Sequence, residues 1–300
     1  MNLRYPWRRI REQADAGAKQ MPCRLLVLAL ALAALTSLPA GPVGAMTPVD
    51  LELVLAVDVS GSVDFEEASL QRDGYVRAIG SPEFAKAVAS GVLGRIAVTY
   101  VEWAGDGVQH TVLDWRVIKG AGSAAAFAKS LREAPISTGP WTSISDAIIF
   151  SVPLLENNQF QGTRRVIDIS GDGPNNTGIL VTEARMDATA KGITINGLPI
   201  INDRLQPSGR PQLENLDRYY AACVIGGPGA FLVVAKNFTD FGRAIRRKLL
   251  FEIAGRVPER RERTGQGGKA MRRVALTYPF GCDVGERRLR RRRFLFDNDF

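Results

Sequence analysis

Between Val49 and Gly255 the chain alternates between short β-rich runs and longer helical ones. The Val- and Leu-rich run 51–57 predicts a strand. Residues 64–79 predict a helix, with Asp64 as N-cap and Glu67 three residues on in capping-box spacing. Residues 95–104 read as a buried strand, and 107–118 as its antiparallel neighbour across a Gly-Asp-Gly turn. Further helices are predicted over 123–134, 143–157, 179–192, 214–224 and 237–255, and further strands over 164–170, 193–200 and 231–235. Pro153 should kink or end its helix, because proline lacks the amide hydrogen and crowds the preceding turn. Strands alternating with helices predict an α/β fold: a doubly wound, mostly parallel central sheet, helices on both faces and one antiparallel edge strand. Ligands of such sheets bind at the carboxyl ends of the strands, so chemistry is sought just after each strand.

The composition of the 300 residues, 45% hydrophobic and 23% charged, is that of an ordinary globular protein. The net charge of +8 invites a nucleic-acid reading, but the basic excess lies at the two ends and leaves the body mildly acidic. Nucleic acid is therefore not an expected partner. In residues 1–45, basic residues up to Arg24 precede an 11-residue apolar run, Leu25 to Leu35, and then Val43-Gly44-Ala45. That order predicts a secretory signal peptide, with Met21 as an alternative start. The run is short for a membrane span of about 20 residues, so an exported, periplasmic or secreted protein is preferred to an anchored one. Residues 256–300 lack apolar periodicity and include the like-charge block 287–293. They predict a basic, disordered tail; a hook for an anionic surface such as a membrane or for nucleic acid, or a remnant without use, are the lesser readings. Once the signal is removed, Cys223 and Cys282 remain. Export would permit a disulfide, but Cys223 is read here as a small buried apolar side chain and Cys282 as part of the tail.

The first strand is followed by D-V-S-G-S, which places Asp58, Ser60 and Ser62 two apart in a turn. The strand 164–170 is followed by GDGPNN, with Asp172 near its end, and Thr142 precedes a helix in GPWTSISDAI. Five hard oxygen donors on three loops at one sheet edge, without histidine or thiolate, suit Mg²⁺, Mn²⁺ or Ca²⁺ rather than Zn²⁺. Helix N-termini gathered at that edge carry partial positive charge, which Asp58 and Asp172 would offset for a bound cation.

In these residues the sequence resembles the von Willebrand factor A domains. D-x-S-x-S after a hydrophobic strand, a Thr heading T-x-x-x-x-A (Thr142 to Ala147) and an Asp-Gly after a later strand form that family's metal-ion-dependent adhesion site. The resemblance covers about residues 49–255, within an expected A-like domain of residues 46–255, and is nearest to a bacterial subgroup of exported A-domain proteins of unknown function. It implies that Ser60, Ser62 and Thr142 contact a divalent cation, most naturally Mg²⁺, while Asp58 and Asp172 act largely through water. It also implies a non-enzymatic module that captures an acidic group of a protein partner through the ion. The usual T-D-G is S-G-D-G here (Ser170 to Gly173), and the extra glycine can shift Asp172 relative to the pattern. In some relatives a moving C-terminal helix, here 237–254, switches affinity.

Other candidates are weaker. His110, the one histidine, lies in a predicted hairpin strand and reads as a surface or edge residue. A metal-assisted hydrolase or phosphatase is the alternative function, with Asp172 as the only general base in view. Against an aspartyl-phosphate mechanism, Ser60 stands where such enzymes carry a second Asp. The run 226–229 reads as a turn rather than a phosphate loop. Trp103 and Trp115 read as packing residues, and Trp141 as a possible rim to the site.

Overall fold

The computed structural model describes residues 45–201, 209, 211–255 and 277–297. The expected signal peptide and the tail segment 256–276 lie outside the described residues.

The strands are β1 (Thr47–Val49), β2 (Glu52–Asp58), β3 (Ile96–Trp103), β4 (Gln109–Ile118), β5 (Phe160–Gly162), β6 (Arg165–Gly171) and β7 (Thr194–Pro199). Five of them form a sheet in the order β4-β3-β2-β6-β7. β2 is parallel to both β3 and β6, and β6 to β7, while β4 runs antiparallel at the edge. β1 and β5 make a separate parallel pair. Every residue of β2 is buried. Leu53, Leu55 and Val57 enter one core cluster and Val54 and Ala56 the other. A strand covered on both faces has no polar side, which is why 51–57 reads as a continuous apolar run.

The helices, in chain order, are α1 (Phe65–Ile79), α2 (Pro82–Ala89), α3 (Ala121–Glu133), α4 (Ile144–Glu156), α5 (Val181–Ala190), α6 (Leu216–Tyr219), α7 (Phe238–Ala254) and α8 (Val284–Asp297). α6 runs directly into a π-helical turn, Tyr220–Val224. Tyr75 of α1, Phe84 of α2, Phe127 of α3 and Phe241 of α7 build the first core cluster. Ile148 of α4, Ala184 of α5 and Tyr219 of α6 build the second. The expected architecture is therefore present. So is the Asp64–Glu67 capping box, with reciprocal hydrogen bonds of 2.8 and 3.1 Å.

The helix expected over 143–157 is α4, which passes through Pro153 to Glu156, so the proline does not end it. Three local features differ from the sequence reading. α2 was not foreseen, although Ser81 caps it and Pro82 occupies its first position, an ordinary start signal. Residues 231–235 are not a strand but lie along β7 through two isolated parallel bridges, Gly197 with Leu232 and Ile200 with Ala235. The tail differs most. Cys223 and Cys282 form a disulfide, 59 residues apart. Tyr278, Val284 and Leu289 are buried, and Tyr278 and Val284 join the second core. The Tyr278 hydroxyl donates to the Glu214 carbonyl at 2.9 Å. Far from being disordered, the segment 277–297 folds back onto the domain. The aromatic and apolar residues interspersed among its arginines provide the burial that a like-charge block would lack.

Charge is also buried within the fold. Lys248 Nζ lies 2.5 Å from both Asp168 Oδ1 and Glu252 Oε1, and all three side chains are inaccessible to solvent. The triad fastens α7 to β6. Burial, followed by the charge of Glu252, pushes the Asp168 carboxyl up to about 7 against the opposing pull of Lys248. Arg72 on α1 pairs with Glu102 on β3 and donates to the carbonyls of Leu131 and Ala134 at 2.9 Å. No helix among the described residues is long and apolar enough to cross a membrane.

Candidate metal centre

β2 is flanked by β3, the next strand of the sheet in sequence, on one side and by the later β6 on the other. The carboxyl ends of β2 and β6 thus sit at the point where the strand order reverses, the usual place for a ligand in this class of fold. Asp58 ends β2, and Asp172 directly follows β6.

The structure brings all five predicted residues together. The Ser60 amide donates to Asp58 Oδ1 at 2.8 Å, which folds the turn back on the strand end. The hydroxyls of Ser60 and Ser62 are 3.0 Å apart. Ser62 donates to Asp172 Oδ1 at 2.6 Å, and Thr142 donates to Ser60 Oγ at 3.3 Å. One chain of polar contacts therefore joins three loops. Asp58, Ser60, Thr142 and Asp172 are buried, and Ser62 is partly exposed.

Two carboxyls held this close, away from water, resist ionisation. Burial raises Asp58 to about 6, against hydrogen bonds from Ser60 and from the Asp172 backbone that favour its charge. Burial, then the negative charge of Asp58, raises Asp172 to about 8, with Ser62 opposing. Among the described residues Asp58 Oδ2 has no hydrogen-bond partner, an expensive state for a buried carboxylate oxygen. A buried pair of carboxyls, an unsatisfied oxygen and three hydroxyls form a set of hard donors short of positive charge. That set fits a divalent cation of the Mg²⁺ kind. Among the described residues no group of three or more His, Cys, Asp or Glu could hold a metal, so the hydroxyls are essential to this candidate.

The inserted glycine now has a reason. A Cβ on Gly171 would lie 2.8 Å from Asp58 Oδ2 and 2.8 Å from the Tyr220 hydroxyl. Only a residue without a side chain lets β6 pass so near Asp58, and Asp172 still reaches Ser62.

Several supporting residues were not recognised in the sequence. Asn176 Oδ1 accepts from the Thr142 amide at 3.0 Å, and its own amide donates to the Thr142 carbonyl at 2.8 Å. Asn175 Oδ1 accepts from the Ser145 amide at 2.9 Å, within the first turn of α4. The paired asparagines of GDGPNN thus clamp the Thr142 loop to the Asp172 loop. Their signal was the adjacent Asn-Asn after a Gly-Pro turn, since asparagine side chains commonly bond nearby backbone. Gln71 of α1 donates to the Asp58 carbonyl at 3.1 Å. Trp141, by contrast, is expected at the rim from the sequence; it adopts the left-handed backbone region at φ 61°, uncommon for a bulky residue, and is 42% exposed. It lies on the rim of a cleft of about 310 Å³ that also takes in Ser62, Thr142 and Pro174, together with Arg288 from α8.

The remaining candidates supply none of the side-chain contacts of this centre, although Trp103 pairs with Asp58 across β3 and β2. His110 Nε2 lies 2.9 Å from Ser137 Oγ, on the edge strand β4. Trp103 is fully buried, and Trp115 donates to the Leu154 carbonyl at 3.2 Å. Gly227 and Gly229 have φ of 90° and 69°, as a glycine turn requires.

The family model described as "Protein of unknown function (DUF1194)" matches residues 48–257. The chain belongs to that family. No curated protein matches it in sequence. Among solved structures, this DUF1194 chain is similar to proximal thread matrix protein 1 of the mussel byssus, at 15% identity and a TM-score of 0.49 over 70% of this chain and 49% of that one. It is also similar to the pilus adhesin SpaC from Lactobacillus rhamnosus GG, at 13% identity and 0.49 over 69% and 31%. A third is a von Willebrand factor type A protein from Catenulispora acidiphila, at 10% identity and 0.47 over 68% and 43%. The DUF1194 chain thus spans half or less of the length of these three proteins.

Proposed function

We propose that this DUF1194 protein is an exported binding module that captures an acidic group of a protein partner through a divalent cation, most naturally Mg²⁺, held at Asp58, Ser60, Ser62, Thr142 and Asp172. The observation that supports this most strongly is the buried Asp58–Asp172 pair with its unsatisfied carboxylate oxygen, opening into a cleft through Ser62 and Thr142. A bound cation would act as a Lewis acid toward an outside oxygen ligand. Neutral hydroxyls leave that acidity largely undiminished, whereas further carboxylates would reduce it. Asp58 holds the Ser60 turn through its Oδ1, and Asp172 anchors Ser62. The asparagine clamp holds the Thr142 loop, and the Thr142 hydroxyl donates to Ser60.

Binding is favoured over hydrolysis because Asp172, the one base the sequence offers, is engaged by Ser62 and set against Asp58. The apolar run before Ala45 supports export. So does the Cys223–Cys282 bond, since disulfides persist in oxidising compartments. The test is capture of a partner from the native periplasm by immobilised protein. Retention of a protein in Mg²⁺, its release by chelator and its loss in Asp58→Ala support the proposal. Capture indifferent to chelator counts against it.

A further inference from the structure

The tail helix reaches the candidate metal centre. Gly285, Arg288 and Leu289 of α8 line the same cleft as Ser62 and Thr142. Three contacts hold the helix there. The Cys223–Cys282 disulfide fixes its start to the π-helical turn. Glu286 Oε1 accepts from Asn175 Nδ2 at 2.8 Å, in a contact that is itself buried. Gly285 packs against the Asn175 backbone so closely that a Cβ there would come within 1.9 Å of its carbonyl oxygen. Asn175 is also the residue that secures Ser145 beside the Thr142 loop. The tail is therefore seated on the loops that carry the candidate ligands.

Its arginines are not equivalent. Arg287 is taken up by Asp283 and the Phe280 carbonyl. Arg288 is exposed on the cleft and has no carboxylate partner among the described residues. A guanidinium there offers a planar fork of donors suited to a carboxylate.

We infer that α8 is a wall of the binding cleft and that Arg288 is a second anchor, so that the preferred ligand is a peptide segment with two acidic side chains. One carboxylate meets the cation and the other meets Arg288, while Trp141, Pro174 and Leu289 cover the chain between them. This rests on the cation-binding reading proposed above and adds the class of ligand.

The test uses the full chain in Mg²⁺ with two sets of fluorescein-labelled peptides. One set carries a single aspartate, and the other carries two aspartates separated by zero to three residues. Anisotropy gives their affinities, and calorimetry gives the affinity for Mg²⁺ alone. Arg288→Gln should weaken the best two-aspartate peptide by about tenfold or more, leave the single-aspartate peptides unchanged and leave Mg²⁺ affinity within about twofold. Arg290→Gln, an equal loss of charge outside the cleft lining, should change neither. If Arg288→Gln binds both sets like wild type while Asp58→Ala binds neither, the Arg288 inference is overturned and the cation reading stands. An equal loss in Arg290→Gln also overturns it, by reducing the effect to net charge. Peptide binding that survives Asp58→Ala contradicts the cation reading itself, and failure of every peptide to bind in Mg²⁺ contradicts both.

Discussion

The Ser62 hydroxyl donates to Asp172 across 2.6 Å, joining two strand ends 110 residues apart in sequence. Asp172 also senses the charge of Asp58 beneath that contact, so the two carboxyls and the hydroxyls between them behave as one electrostatic unit.

That unit gives a pH dependence with a definite sign. Asp58 and Asp172 titrate at about 6 and about 8 in the folded chain, above the ordinary aspartate value of 3.8. The folded state therefore holds more protons than the unfolded state between these limits. Their contribution to stability is full below pH of about 4 and is lost as pH rises through about 6 and then about 8. Asp168, raised to about 7, adds in the same direction. The metal-free protein should melt lower at pH 8.5 than at pH 5, and excess Mg²⁺ should recover part of the loss at pH 8.5. Because the cation displaces a proton, its affinity should tighten by up to about tenfold per pH unit between pH 6 and 8. Calorimetry across that range checks this.

Gly171→Ala should disturb the centre without replacing any candidate ligand. The new methyl would meet Asp58 Oδ2 and the Tyr220 hydroxyl at 2.8 Å. Overpacking of this kind costs about 1–3 kcal/mol, and displacement of a positioning contact lowers metal affinity by about 10–100-fold. Chemical denaturation and Mg²⁺ titration should show both losses together.

Lys248→Met should be among the most damaging single changes. It would leave Asp168 and Glu252 buried without the ammonium that lies 2.5 Å from each. Breaking a buried ion network by removing one partner costs about 3–5 kcal/mol. A lowered denaturation midpoint, with less loss at pH 5 than at pH 8 because Asp168 can then take a proton, is the expected result.

The double variant Cys223→Ser, Cys282→Ser should be less stable by about 2–4 kcal/mol, since the bond closes a long loop across 59 positions. Urea unfolding of oxidised wild type against the variant measures the difference. Equal midpoints would mean that the tail is held by its other contacts alone.

Much of this was legible in the sequence, for reasons that differ from residue to residue. The strand 51–57 announced itself because burial on both faces leaves an unbroken apolar run. The Asp58, Ser60 and Ser62 turn was readable because its spacing is local. Asp172 and Thr142 could be placed only through the order of strands and helices, and the inserted glycine obscured Asp172. Its meaning depends on Tyr220 and Asp58, residues remote in sequence from one another. The tail was misread for a related reason. Its composition is that of a solvated basic segment, and the contacts that order it, Cys223, Asn175 and Glu214, lie at least 59 positions away. The run 231–235 has a strand's composition but sits where β7 offers only two bridges.

The most direct test of the candidate centre is calorimetric titration of the metal-free protein with Mg²⁺, for wild type and Asp58→Ala side by side, with circular dichroism to confirm equal folding. Wild type should take up one ion saturably, with proton release near pH 7, and the variant should take up none. Identical uptake by two equally folded proteins would contradict this.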